Sequence, residues 1–294
     1  MFSSSWVKRF DVSADPSASL LGDSSLELDA GFDPLRLRSI LGFFVFSHLW
    51  TWSFWGLASL LSQGSIWEGP AVVFFYLGGL GVPLGAGVAT WVERGSCGLR
   101  DLGWRMVDPT RISARWWVFV LAFFPLLNVV SSGVASGSAI EASSPLGLAL
   151  SGNYSIKPLS LIAFLGIVLL LGPLPEEVGW RGYLLDRFES RWSPEAATLV
   201  VALAWWSWHL PLFLLPGYFD PFGGPPMGPL GYLWDILPGA VLFTWIYNNT
   251  RRSVLAVTAF HFVGNLSGEL MGLSGGTRSW HLILKSVVAL AILV

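Results

Sequence analysis

Residues 159–181 run LSLIAFLGIVLLLGPLPEEVGWR, an apolar stretch that ends in two adjacent carboxylates and, four residues later, an arginine. Leu159 to Leu174 carries no charge and fits the roughly 20-residue helix that crosses a bilayer core. Charges at the edge of such a segment are costly to place there. Glu176, Glu177 and Arg181 are therefore functional candidates before anything else is known.

The same pattern recurs along the chain. Of 294 residues, 53% are hydrophobic and only 12% charged, where a soluble domain has about 25% charged. Eight apolar runs read as spanning helices, at 39–62, 70–92, 115–135, 159–176, 196–215, 230–249, 253–272 and 279–294. Gly, Pro and charged residues punctuate them. The fold class is therefore all-α: a polytopic membrane helix bundle. Many of the seventeen Trp lie near the ends of these runs, where amphipathic rings favour the interface.

Fourteen Lys/Arg fall in the segments on the N-terminal side, while only Lys157 and Arg278 fall in the opposite loops. Positive charge stays cytoplasmic, so both termini are expected in the cytoplasm. Residues 1–35 read as a polar cytoplasmic tail without a cleaved leader. Residues 36–294 read as one transmembrane helical domain, with the chemistry-bearing core over 159–272. Residues 177–192 alternate apolar and charged positions, which suits a helix lying along the cytoplasmic interface. Net charge −2 offers nothing to nucleic acid, and the single Cys97 excludes an internal disulfide or a multi-Cys metal cage.

Glu177 and Arg181 stand four apart with Glu first, the favourable order for a helical ion pair. That commits Glu177 to bracing and leaves Glu176 without a local cation, suited to trading protons. Both could instead be interfacial charges capping a helix. His209 lies in Trp205-Trp206-Ser207-Trp208-His209-Leu210-Pro211, with Trp205 on its face and Pro211 expected to break the helix. A lone intramembrane histidine is as readily a hydrogen-bonded core group as a catalytic one. His261 and Asn265 share one helical stripe, where they could donate together to an oxyanion or simply tie helices. Gly264 and Gly268 are expected to permit close helix approach there. His48 and His281 read as members of the aromatic belt. Asp235 and Glu269 read as structural or cavity-lining acids, and Lys285 as a snorkelling cation. One geometric tension follows: Glu176 sits at a membrane edge, whereas His209 lies about 22 Å past Pro194 at 1.5 Å per residue.

Taken together these residues resemble the CPBP family, which includes the type II CAAX prenyl endopeptidases and the bacteriocin-processing proteins. Glu176-Glu177-x-x-x-Arg181 followed by Gly182-Tyr183-Leu184-Leu185 is similar to its first motif. Trp205, where Phe is usual, with His209 resembles the second, and His261 with Asn265 the third. The likeness implies an intramembrane endopeptidase. Glu176 with His209 would activate a water, His261 and Asn265 would stabilise the oxyanion, and Glu177 with Arg181 would hold the site. It implies no required cofactor, although a zinc on Glu176, His209 and His261 stays open. There is no His-Glu-x-x-His helix.

The expected partners are the lipid bilayer and a protein or peptide substrate at the membrane, lipid-modified or not. The expected location is the plasma membrane in a prokaryote or an endomembrane in a eukaryote, with the site facing the cytoplasm. Two other readings compete. One is a catalytically silent immunity or scaffold protein of the same fold; the complete motif set argues against it. The other is a proton-coupled carrier, against which the lack of an internal repeat argues.

Overall fold

The computed structural model describes residues 34–140, 144, 146–147, 158–219, 228–273 and 275–294, with the side chains of 158–164 outside that description. The expected tail over 1–33, Lys157 and residues 220–227 of the Gly/Pro-rich stretch lie outside the described residues.

Among the described residues there is no strand. In chain order the helices are α1 (Pro34–Leu61), α2 (Ala71–Gly79), α3 (Gly81–Val107), α4 (Ala114–Ser136), α5 (Pro158–Leu171) and α6 (Pro173–Gly179). A π-helical turn, Trp180–Leu185, follows and leads into α7 (Asp186–Glu189). The chain then returns through α8 (Pro194–His209), α9 (Gly228–Asn249), α10 (Val254–Met271) and α11 (Gly275–Leu293). Each of the eight expected spans is helical. Among the described residues, six stretches are long and apolar enough to cross a membrane: α1, α2 with α3, α4, α8 with its extension, α9 and α10. Their outward faces are apolar, with Leu41, Val45, Leu49, Val88, Trp91, Val118, Leu121 and Leu126 exposed. Such a surface is expected against lipid. The chain is an integral membrane protein.

Local chemistry sets the helix ends near the site. Ser193 accepts from the Ala196 amide and Pro194 occupies the first turn of α8, both ordinary helix-start signals. Pro211 denies a backbone donor to the helix. The α-helix accordingly ends at His209 and tightens into a 3₁₀ segment, Leu210–Leu214. Trp52 Nε1 donates to the Trp208 carbonyl at 3.1 Å.

The fourth span differs from its expected form. Gly172 breaks it with non-helical backbone (φ −119°, ψ −95°), and the helical path then runs on through Glu189 instead of stopping at 176. Residues 180–185 are all buried, as are Arg187 and Phe188. They do not form an interfacial amphipathic helix. Their charges are neutralised inside the protein: Arg187 Nε donates to Glu93 at 3.0 Å, and the Tyr183 hydroxyl donates to the same carboxylate at 2.7 Å. Arg105 Nη1 donates to Asp186 at 2.7 Å. Arg252 also pairs with Asp186, and reaches Glu189 at 2.8 Å.

Close packing seats this segment. A Cβ on Gly179 would fall 2.2 Å from Val82 of α3, and one on Gly182 would fall 2.8 Å from Leu102. Real Cβ atoms do not approach neighbours that closely, so only glycine lets α6 and the π turn lie against α3 at this distance. Gly264 plays the expected role against α4, where a Cβ would meet the Phe124 ring at 2.9 Å. Gly268 differs: its near neighbour is Leu273 of the following connection.

Candidate active site

The continuation of the fourth span resolves the depth mismatch. From the turn at 190–193, Glu176 and His209 lie fourteen and sixteen residues away along antiparallel helices, about 21 and 24 Å at 1.5 Å per residue. They meet there: His209 Nε2 is 3.8 Å from Glu176 Oε2. α10 runs alongside in matching register. Arg252, just before it, binds Asp186, and nine residues further on in α10, His261 Nδ1 donates to Glu177 Oε1 at 2.8 Å. Glu177 is likewise nine residues from Asp186.

The two adjacent glutamates have different surroundings. Glu177 is fully buried. Arg181 Nη1 donates to both its oxygens, at 2.9 and 3.0 Å, and His261 adds a third bond. The Arg181 guanidinium lies between two rings, 4.5 Å from the centre of Trp205 and 4.3 Å from that of Phe243. Such stacking compensates a buried cation, whose Nε and Nη2 have no hydrogen-bond partner among the described residues. Glu176 makes one bond, accepting from Trp205 Nε1 at 2.6 Å on Oε2. Its Oε1 has no hydrogen-bond partner among the described residues.

His209 Nδ1 lies 2.7 Å from the Trp205 carbonyl. A carbonyl can only accept, so Nδ1 carries the hydrogen and, in the neutral ring, Nε2 presents a lone pair toward Glu176. Trp208 and Tyr232 pack edge-on to the ring, with centroids at 4.7 and 5.2 Å. The His261 ring is edge-on to Trp205 and Phe243, at 5.6 and 5.4 Å. Asn265 lies one turn beyond His261, exposed and without a described hydrogen bond. Six of the seven expected site residues thus form one cluster through direct contacts, and Asn265 extends it along α10.

The direct bond from the Trp205 indole to Glu176 could not be read from the sequence, where Trp205 stood only as an aromatic neighbour of His209. Other polar groups also differ from expectation. His48 is buried and bonded at both nitrogens, to the Phe44 carbonyl at 2.9 Å and Ser207 Oγ at 3.0 Å. His281 is buried and meets Asn128 Oδ1 at 2.8 Å. Neither belongs to an aromatic belt. Lys285 is buried and pairs with Asp235 instead of snorkelling.

Among the described residues, no three His, Cys, Asp or Glu are arranged to hold a metal ion.

Residues 158–267, which contain all three motifs, match the family model described as type II CAAX prenyl endopeptidase Rce1-like. Over these residues the chain is similar to that family. A relative, "CAAX prenyl protease 2" of the archaeon Methanococcus maripaludis (strain S2), is 34% identical over 128 residues, covering 43% of this chain. The match spans 47% of that relative's length. The matched segment is the part that holds Glu176, Trp205, His209 and His261; α1 to α4 and α11 lie outside it.

Proposed function

We propose that the protein is an intramembrane endopeptidase that hydrolyses a peptide bond of a membrane-associated or lipid-modified substrate, with Glu176 as general base. The observation that carries this reading is the pairing of Glu176 Oε2 with His209 Nε2 at 3.8 Å while Glu176 Oε1 stays unbonded. A water beside this pair can donate one hydrogen to the carboxylate and the other to the imidazole lone pair. Its own lone pair then faces the scissile carbonyl carbon. Attack forms the new C–O bond as Glu176 takes the proton. Collapse breaks the C–N bond, and the proton passes to the departing amine.

The negative charge that develops on the carbonyl oxygen needs fixed donors. His261 Nε2 and the Asn265 amide are the groups with capacity to spare. For Nε2 to donate while Nδ1 donates to Glu177, the imidazole must carry both protons, with Glu177 as its counter-charge. Glu177 and Arg181 hold that ring and do not meet the water. No step passes through a metal. The relative's name supports a substrate bearing a prenyl group at a C-terminal CAAX sequence; a plain peptide or leader fits the site's chemistry equally. The charge asymmetry of the loops supports a cytoplasmic entrance, with the protein in a plasma or an internal membrane according to the cell.

The test uses full-length protein in detergent with a prenylated CAAX peptide and an unmodified peptide library. Glu176→Ala and His209→Ala should each lower kcat about 10²- to 10⁴-fold, at unchanged thermal stability for Glu176→Ala. A chelator should leave the wild type active. Full cleavage by Glu176→Ala would remove the mechanism. Inactivation by chelator, reversed by zinc, would replace it with a metal-bound water. No cleavage by the wild type of any peptide would favour a silent binding protein.

A further inference from the structure

Besides its edge-on contact with the His261 ring, Trp205 meets three members of the cluster through three different parts of itself. Its indole N–H donates to Glu176 Oε2 at 2.6 Å. Its backbone carbonyl accepts from His209 Nδ1 at 2.7 Å. Its ring face covers the Arg181 guanidinium at 4.5 Å. A phenylalanine, the residue usual at this place in the resembling motif, would supply the carbonyl and a ring face. It has nothing to donate to a carboxylate.

The bond has a directional consequence. Glu176 lies on α6, and its side chain has no other hydrogen bond among the described residues. Without the indole, both carboxylate oxygens would be free to rotate. With it, Oε2 is held on the Trp205 side, within 3.8 Å of His209, and Oε1 is the oxygen left to meet a water. The bond is short, and when Glu176 is ionised it is of the charge-assisted kind, roughly twice as strong as a neutral pair. A reacting carboxylate misplaced by an ångström costs of order a hundredfold in rate.

We infer that Trp205 is a positioning residue, whose indole N–H fixes the rotamer of Glu176 and selects Oε1 as the oxygen that takes the proton. This rests on the reading of Glu176 as the base. The role belongs to the N–H and not to the bulk of the ring, and that distinction decides the experiment.

Two variants remove the donor. Trp205→Phe deletes it with some volume. Replacement of Trp205 by 3-benzothienylalanine, with sulfur where the N–H stood, deletes it at nearly constant shape. In both, kcat for the reporter peptide should fall about ten- to a hundredfold, as expected for loss of one charge-assisted hydrogen bond, with KM within about twofold of wild type, since no substrate contact changes. In a Glu176→Asp background, where the shortened carboxylate is withdrawn from the indole, adding Trp205→Phe should cost little more. Unchanged kcat in the benzothienyl variant would overturn the inference, as would a loss confined to KM. So would a full additional loss on top of Glu176→Asp. Glu176→Ala, assayed alongside, separates the two levels. If it still cleaves, the base assignment fails and this inference with it. If it is inactive while the Trp205 variants run at the wild-type rate, only the inference fails.

Discussion

Two clusters of charge sit on the same helical path about 14 Å apart, nine residues at 1.5 Å each, and they use their hydrogen-bonding capacity in opposite ways. In the cluster nearer the turn at 190–193, Asp186 binds Arg105 through one oxygen. Its other oxygen takes Arg252 and the Tyr247 hydroxyl, the latter at 2.9 Å. Glu189 is shared between Arg252 and Asn248. Every carboxylate oxygen in that set has a donor. In the deeper cluster, Glu177 is equally satisfied, whereas Glu176 Oε1, His209 Nε2, His261 Nε2 and the Asn265 amide have no described hydrogen bond. A buried polar group normally finds its partners. On the proposed reading, the saturated carboxylates hold helices together, and the four groups with open capacity carry the chemistry.

Each half of that contrast can be broken separately. The largest effect on folding should come from Asp186→Ala, which strands Arg105 and Arg252. Breaking a buried pair typically costs about 3–5 kcal/mol. Thermal unfolding in detergent should show the loss, with kcat per folded molecule little changed; a variant as stable as wild type would mean the cluster is an ornament of the surface. Next come His261→Ala and Asn265→Ala, each expected to lower kcat about 10²–10³-fold if it donates to the oxyanion. Asn265→Ala should leave the melting temperature in place, since its amide has no hydrogen bond among the described residues. A drop in yield without a drop in kcat would move both residues to the packing side of the comparison. The smallest effect should come from Gly179→Ala, which forces a methyl into Val82 between the two clusters. Overpacking of this kind costs about 1–3 kcal/mol, read again by thermal unfolding; no change would mean that α3 yields freely.

The bundle was legible because apolar runs and their breaks depend on composition alone. The pairing of Glu177 with Arg181 was legible because it is local, four residues apart on one turn. The membership of His209 and His261 came from motif order, and the structure brings both against the glutamate pair. What the sequence hid was long-range compensation. Asp186, Arg187 and Glu189 looked like charges in water, because their partners Glu93, Arg105 and Arg252 stand some 60 to 95 positions away. That misreading ended the fourth span at residue 176 and created the mismatch in depth with His209. The same blindness turned His48 and His281 into belt residues and Lys285 into a snorkelling cation. Trp205 concealed its donor for a related reason: spacing places a residue on a helix face but does not say which atom of its side chain meets the neighbour.

The wide turn at Trp180–Leu185 has a consequence for helical phase. Nine residues of ideal α-helix make two and a half revolutions, which would point Glu177 and Asp186 in opposite directions. A π turn spends more residues on each revolution, so rotation lags and the second carboxylate swings back toward the side of the first. Both then address one neighbour, His261 from the upper position and Arg252 from the lower. Six loosely wound residues thus act as a torsional offset that lets one neighbouring segment, α10 and the turn just before it, engage both levels at once.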